Sequence, residues 1–174
     1  MELRADTAVL DLSRREADVA IRLARPKEPA LVARRLGAMQ FGLFASESYL
    51  ARRGTPRGLA ALASHAWIGF DASLDQQPQI KWLNRVVPEL RYVVRANTTT
   101  IQVLACAEGH GVALLPVFVT EREPRLHKVL PRLVVPSRDL WAVSHSDMRT
   151  NVRVRAFVGW LLHLTASRVA AETN

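Results

Sequence analysis

Four consecutive polar residues, Asn97-Thr98-Thr99-Thr100, stand directly before a stretch that reads as a helix, Ile101 to Glu108. Hydroxyls beside the free N–H groups of a helix start make a polar cradle. The backbone donors point outward and the helix dipole favours an anion, so a carboxylate or phosphate can be held without any charged side chain. The same residues also suit plain N-capping, which threonine performs routinely. A second helix start follows the apolar run Phe41 to Ala45, which delivers Ser46 and Glu47 to the segment SESYLARR, with Ser46 placed as N-cap and Gly54 as C-cap. A third feature, Gly109-His110-Gly111, lies between helix and strand. A dinucleotide fingerprint needs the order strand, glycines, helix. Here the order is reversed, and the two glycines suit a tight turn.

Enzyme chemistry finds little support. The five histidines, His65, His110, His127, His145 and His163, are scattered, and none stands at metal-ligand spacing from another. There is no nucleophile elbow and no P-loop. Ser144-His145-Ser146-Asp147 gathers a serine, a histidine and an aspartate. Neighbours in a strand point in different directions, whereas a nucleophile and its base must face each other. Cys106, the one cysteine, excludes an internal disulfide and a multi-cysteine metal site, and it reads as buried mid-helix. We expect no catalytic residue, no metal and no cofactor.

The elements that position these residues alternate between strand and helix, which argues for α/β. Met1 to Asp6 alternates like a short edge strand, and Val9 to Glu16 reads as a short helix or turn with a Ser13–Glu16 capping box. Asp18 to Arg22 reads as a strand, and Leu31 to Ala45 as a hairpin-like pair ending in a buried strand. Leu59 to Ala63 suits a short helix, and Trp67 to Phe70 a strand. Asp71 to Pro78 reads as a polar loop, followed by strands at Ile80 to Leu83 and Leu90 to Ala96. After the Ile101 helix come a wholly apolar strand, Val112 to Leu115, and a short helix, Phe118 to Glu123. Strands at Leu126 to Leu130 and Leu140 to Ser144 follow. Arg149 to Ala171 is a long amphipathic helix with Val154, Phe157, Val158, Leu161, Leu162 and Leu164 on its apolar side.

The 174 residues are 49% hydrophobic and carry a net charge of +8, which fits one globular domain or two small lobes. The arginines are spread along the chain, with no basic-aromatic motif or helix-turn-helix beside them, so the charge reads mainly as solvated faces. No apolar run reaches bilayer-spanning length, and MELRADTAV carries no signal-peptide core. The expectation is a cytoplasmic protein without a membrane partner.

Four segments together resemble one family. They are DLSRREADVAIR, LVARRLG…FGLFASESYLARRGTPR, NTTTIQVLACAEGHGVALLP and the RVRAFVGWL helix, in that order. They resemble the effector-binding domain of LysR-type transcriptional regulators. The resemblance implies a two-lobed, periplasmic-binding-protein-like (type 2) α/β fold. Lobe one would comprise residues 1–43 and 141–174, and lobe two residues 44–140. It further implies a small, acidic effector, a small carboxylate, bound between the lobes of an oligomeric regulator. Asn97, Thr98 and Thr99 would face that effector. Ser46 would border the same cleft, either as an effector contact or only as the cap of its own helix. By the same resemblance the winged helix-turn-helix, and the first strand and helix of lobe one, are missing. The expectation is then an N-terminally truncated regulator that reaches DNA only through a reader it lacks. The alternative is a stand-alone small-molecule-binding module, or a truncated remnant, that modulates full-length relatives.

Overall fold

The computed structural model describes residues 1–4, 12–14 and 16–172, with the side chains of Ser13 and of residues 167–172 left aside. In chain order the strands are β1 (Ala20–Arg22), β2 (Leu31–Met39), β3 (Phe41–Ser46), β4 (Ala66–Phe70), β5 (Arg91–Ala96), β6 (Val112–Pro116), β7 (Leu126–Val129) and β8 (Arg138–His145). The helices are α1 (Glu47–Arg53), α2 (Leu59–Leu62), α3 (Pro78–Val86), α4 (Thr99–Ala107), α5 (Val117–Thr120) and α6 (Val152–Glu172). The chain divides into two compact units, one of Met1–Met39 with Arg138–Asn174 and the other of Gln40–Ser137. The changeovers therefore fall at Gln40 and Ser137, a few residues before the expected Phe44 and Trp141. The reason is that all of β3 pairs inside the second unit, with β6 and β7.

The first unit is a three-stranded antiparallel sheet in the order β1-β8-β2 with α6 packed on it. Leu36, Ala142 and Leu161 form its buried centre, and Val19, Leu140, Phe157, Val158 and Leu162 pack around them. The Thr165 hydroxyl ties α6 to β2 by donating to Leu36 O at 2.8 Å. The α6 stripe holds except at Leu164, which is 39% exposed. Met1 to Arg4 form no strand, because no partner strand lies beside them among the described residues. Ala5 and Asp6 lie outside those residues, as does the Ser13 side chain of the expected capping box. Around it the backbone makes a single 3-10 turn, Leu12–Arg14.

The second unit holds the candidate residues. Its sheet runs β5-β4-β6-β3-β7, with β4, β5 and β6 parallel and β3 antiparallel to both its neighbours. Two crossovers, β4-α3-β5 and β5-α4-β6, build the parallel part. Helix α4 covers one face, where Cys106 and Ala107 meet Phe44, Ile68, Ala113, Leu115 and Leu126. Strand alternation sends Trp67, Val112 and Leu114 to the opposite face. Trp67 is fully buried there, and its indole N–H donates to Leu62 O at 3.1 Å.

Two sequence expectations change here. β2 and β3 do not pair as a hairpin; β2 pairs with β8 and β3 with β6 and β7. The single residue between them, Gln40, is too short a loop to turn one strand back on the other. Ile80 to Leu83 lies within α3 rather than a strand. Pro78 opens that helix, and Ile80, Leu83 and Val87 recur at helical spacing on its buried side. The stretch before it is not all loop, since Ala72–Leu74 form a 3-10 turn capped by Asp71.

Candidate functional site

The carboxyl ends of β4, β5 and β6 come together at one edge of the second sheet. β4 lies between its two parallel neighbours, so the chain leaves β4 to one side and returns on the other. Open α/β sheets bind ligands at such a switch, outside the carboxyl ends of the strands. At this edge the chain presents Phe70-Asp71 after β4, Asn97-Thr98-Thr99 after β5 and Pro116 at the end of β6. The backbone N–H of Asp71 donates to Ala96 O at 3.1 Å and holds the first two ends together.

Thr98 is the N-cap of α4, in extended backbone (φ −129°, ψ 146°), and its Oγ1 accepts from Ile101 N at 3.4 Å. That bond is long, so the cap leaves the helix start open to another acceptor. Thr99 begins the helix, half-buried, and its hydroxyl makes no hydrogen bond among the described residues. Asn97 and Thr100 are exposed. No acidic residue occupies the first turn of α4, and Asp71 at the same edge directs its carboxylate to Ser73, accepting from its N and Oγ.

The structure does not bring Ser46 to this edge. Ser46 ends β3, which runs against β6, and Phe44 is opposite Ala113 near the amino end of β6. Ser46 therefore lies at the other end of the sheet, beside Gly109 beyond the far end of α4. Nine residues of helix span about 13 Å. Ser46 is 1% exposed, and its Oγ accepts from Tyr49 N at 3.3 Å and shares a hydrogen bond with Ser48 Oγ at 3.1 Å. Here its geometry is that of a cap.

Gln102 has no counterpart in the sequence reading. It is 1% exposed on the sheet side of α4, and its Nε2 has no hydrogen-bond partner among the described residues. The signal was present in the sequence. A glutamine four residues after the Thr98 cap and four before Cys106 shares a helix face with both.

The other chemical candidates have structural explanations. Gly109 turns the chain with φ +81°, and its carbonyl accepts from Arg52 Nη2 at 2.7 Å. The Cys106 thiol is fully buried, 3.3 Å from Phe44 O, and burial pushes its pKa up to about 12. His145 Nδ1 accepts from Asp147 N at 3.3 Å, which makes it a turn cap rather than a base for a nucleophile. An open groove of about 550 Å³ in the first unit is lined by Val32, Arg34, Ser144, Arg149 and Arg155 among others. Its arginines are exposed, so it is a solvated, salt-screened surface. No group of three or more His, Cys, Asp or Glu among the described residues has metal-binding geometry. No helix among them is long and apolar enough to cross a membrane.

Known proteins agree with this architecture. The LysR substrate binding domain family matches residues 1–166. The HTH-type transcriptional regulator CrgA of Neisseria meningitidis is 29% identical over 174 residues, covering 93% of this chain and 56% of that protein. The HTH-type transcriptional regulator PtxR of Pseudomonas aeruginosa is 31% identical over 170 residues, covering 91% of this chain and 52% of that protein. The solved regulatory domain of the Neisseria meningitidis protein superposes with a TM-score of 0.75 at 28% identity, over 88% of this chain and 78% of that one. The chain spans about half the length of the curated relatives it matches. With the family pattern running through both units and the fold matched in three dimensions, the chain belongs to the LysR substrate-binding-domain family.

Proposed function

We propose that this chain is the effector-binding part of a LysR-type transcriptional regulator, and that it senses a small carboxylate metabolite at the start of α4. The observation that carries the ligand class is the Asn97-Thr98-Thr99 segment. It offers neutral donors and a positive dipole end at the sheet's switch point, with a Thr99 hydroxyl unbonded among the described residues and no acidic residue in the first turn. An anion at a helix start gains about 0.3–1 kcal/mol from the dipole, and up to about 2 when partly buried. Asn97 at the rim, Thr98 at the cap and Thr99 in the first turn are the proposed contacts. Ser46 is left out, because it is buried at the opposite end of the sheet.

The role is binding rather than turnover. Both relatives compared above are transcriptional regulators by name, and the site presents donors without a nucleophile or base. Effector binding would change how an oligomer of the whole regulator contacts DNA through a helix-turn-helix that is not among these 174 residues. Calorimetric titration of the chain against a panel of small carboxylic acids and size-matched amines tests the ligand class. Saturable binding of an acid, with the amines silent, is expected. Binding of amines alone, or of neither set, would overturn it.

A further inference from the structure

The amide of Gln102 is the most unusual polar group in the second unit. The residue is 1% exposed, and its Nε2 has no acceptor among the described residues. Folded proteins leave very few buried donors in that condition, because each forfeits its hydrogen bonds to water. A leucine or methionine would fill the same volume without a polar group. Its orientation follows from α4. Gln102 stands four residues after Thr98 and three after Thr99, on the same helix face. Helical side chains lean toward the N-terminus, so the amide reaches back toward the turn that these threonines open. One turn further on, Cys106 is seated at 3.3 Å from Phe44 O and 3.5 Å from Gly111 O, which fixes the rotation of the helix on the sheet. Gln102, one turn nearer the helix start on the same side, then lies beneath the turn proposed to hold the anion.

We infer that Gln102 is a specificity-determining residue whose Nε2 donates to a second acceptor oxygen of the ligand, beyond the carboxylate held at Thr98 and Thr99. The inference rests on the proposed anion site and narrows its ligand class to small carboxylic acids that also carry a carbonyl or second carboxylate. Three residues of helix rise only about 4.5 Å, and the backward lean of the side chain shortens the gap. The second acceptor therefore lies within a few bonds of the carboxyl carbon. A simple alkanoate puts methylenes against the amide and leaves it unpaired.

The test is calorimetric titration of the full chain with matched pairs, pyruvate against propionate and levulinate against pentanoate. Wild type, Gln102→Leu, Gln102→Met and Thr99→Val are compared. Wild type should prefer the oxo acid of a pair by about ten-fold or more. Gln102→Leu and Gln102→Met should abolish that preference while keeping the alkanoate affinity. Both should also raise the ligand-free melting temperature by about 2–4 °C, since the unpaired donor is gone. Thr99→Val should weaken both members of a pair alike. If the Gln102 variants keep the wild-type preference while Thr99→Val weakens both acids, the amide serves only water. The inference then fails and the anion site stands. If Thr99→Val changes nothing, or no acid binds, the anion site fails and the inference falls with it.

Discussion

Replacing Thr99 by valine exchanges a hydroxyl for a methyl of similar shape and separates binding from folding. The Thr99 hydroxyl has no hydrogen-bond partner among the described residues, so its removal breaks no bond seen there. Threonine and valine have similar helix propensities, and the expected stability change is within about 0.5 kcal/mol. If the hydroxyl donates to a bound carboxylate, its loss forfeits a hydrogen bond to a charged group, about 1.5–3 kcal/mol. At 1.4 kcal/mol per decade that is roughly a 12-fold to 150-fold weaker dissociation constant. Thr98→Ala provides the contrast. Its Oγ1 bond to Ile101 N is long, 3.4 Å, so the cap is worth no more than about 1 kcal/mol. That variant should melt about 2–4 °C lower as well as bind more weakly. Both are measured by thermal unfolding and calorimetric titration with whichever carboxylic acid binds wild type. A Thr99→Val protein that melts below Thr98→Ala, or binds as tightly as wild type, would refute the reasoning.

Three further outcomes follow from the packing. Gly111→Ala puts a methyl 2.5 Å from Ala66 O and 2.9 Å from Ala66 C, both backbone atoms that cannot turn aside. It should cost about 3 kcal/mol or more in a urea titration, and a wild-type midpoint would contradict the close approach. Burial, and secondarily Arg53, hold the His65 pKa below its ordinary value, with Nδ1 3.1 Å from the Tyr49 hydroxyl. The unfolded chain takes up that proton near pH 6.5 while the native state does not. Stability should therefore be intact above about pH 6.5 and fall as the pH drops from there toward the lower native pKa. His65→Asn should flatten this slope in melting curves recorded from pH 8 to 5, and an unchanged slope would clear His65. With its pKa raised to about 12, the buried Cys106 thiol should resist iodoacetamide in the native protein and react once urea unfolds it. Rapid native labelling would show that α4 opens.

The sequence by itself determined whatever depends on neighbours along the chain. Ser46 and Gly54 bracket α1, and Thr98 caps α4, because a cap needs only its own side chain and the next turn of backbone. Val112 to Leu115 was legible as a strand because it is apolar throughout, short, and stopped by Pro116. The four ordered motifs carried the family for the same reason, as patterns in the chain itself. Ile80 to Leu83 misled because four apolar-rich residues suit a strand or one face of a helix equally well; the burial of Ile80, Leu83 and Val87 at helical spacing goes with the helix. β2 and β3 misled because strand pairing is non-local, and each found its partners far along the chain, at β8 or at β6 and β7. The site was divided in the same way. That Asn97, Thr98 and Thr99 form a donor-rich helix start was written in the chain. That Ser46 belongs to the opposite end, and that the face of α4 carrying Gln102 is sealed against the sheet, was decided only by strand direction and by the rotation of α4 on the sheet. Both are fixed by long-range packing of the core, which no local pattern of residues encodes.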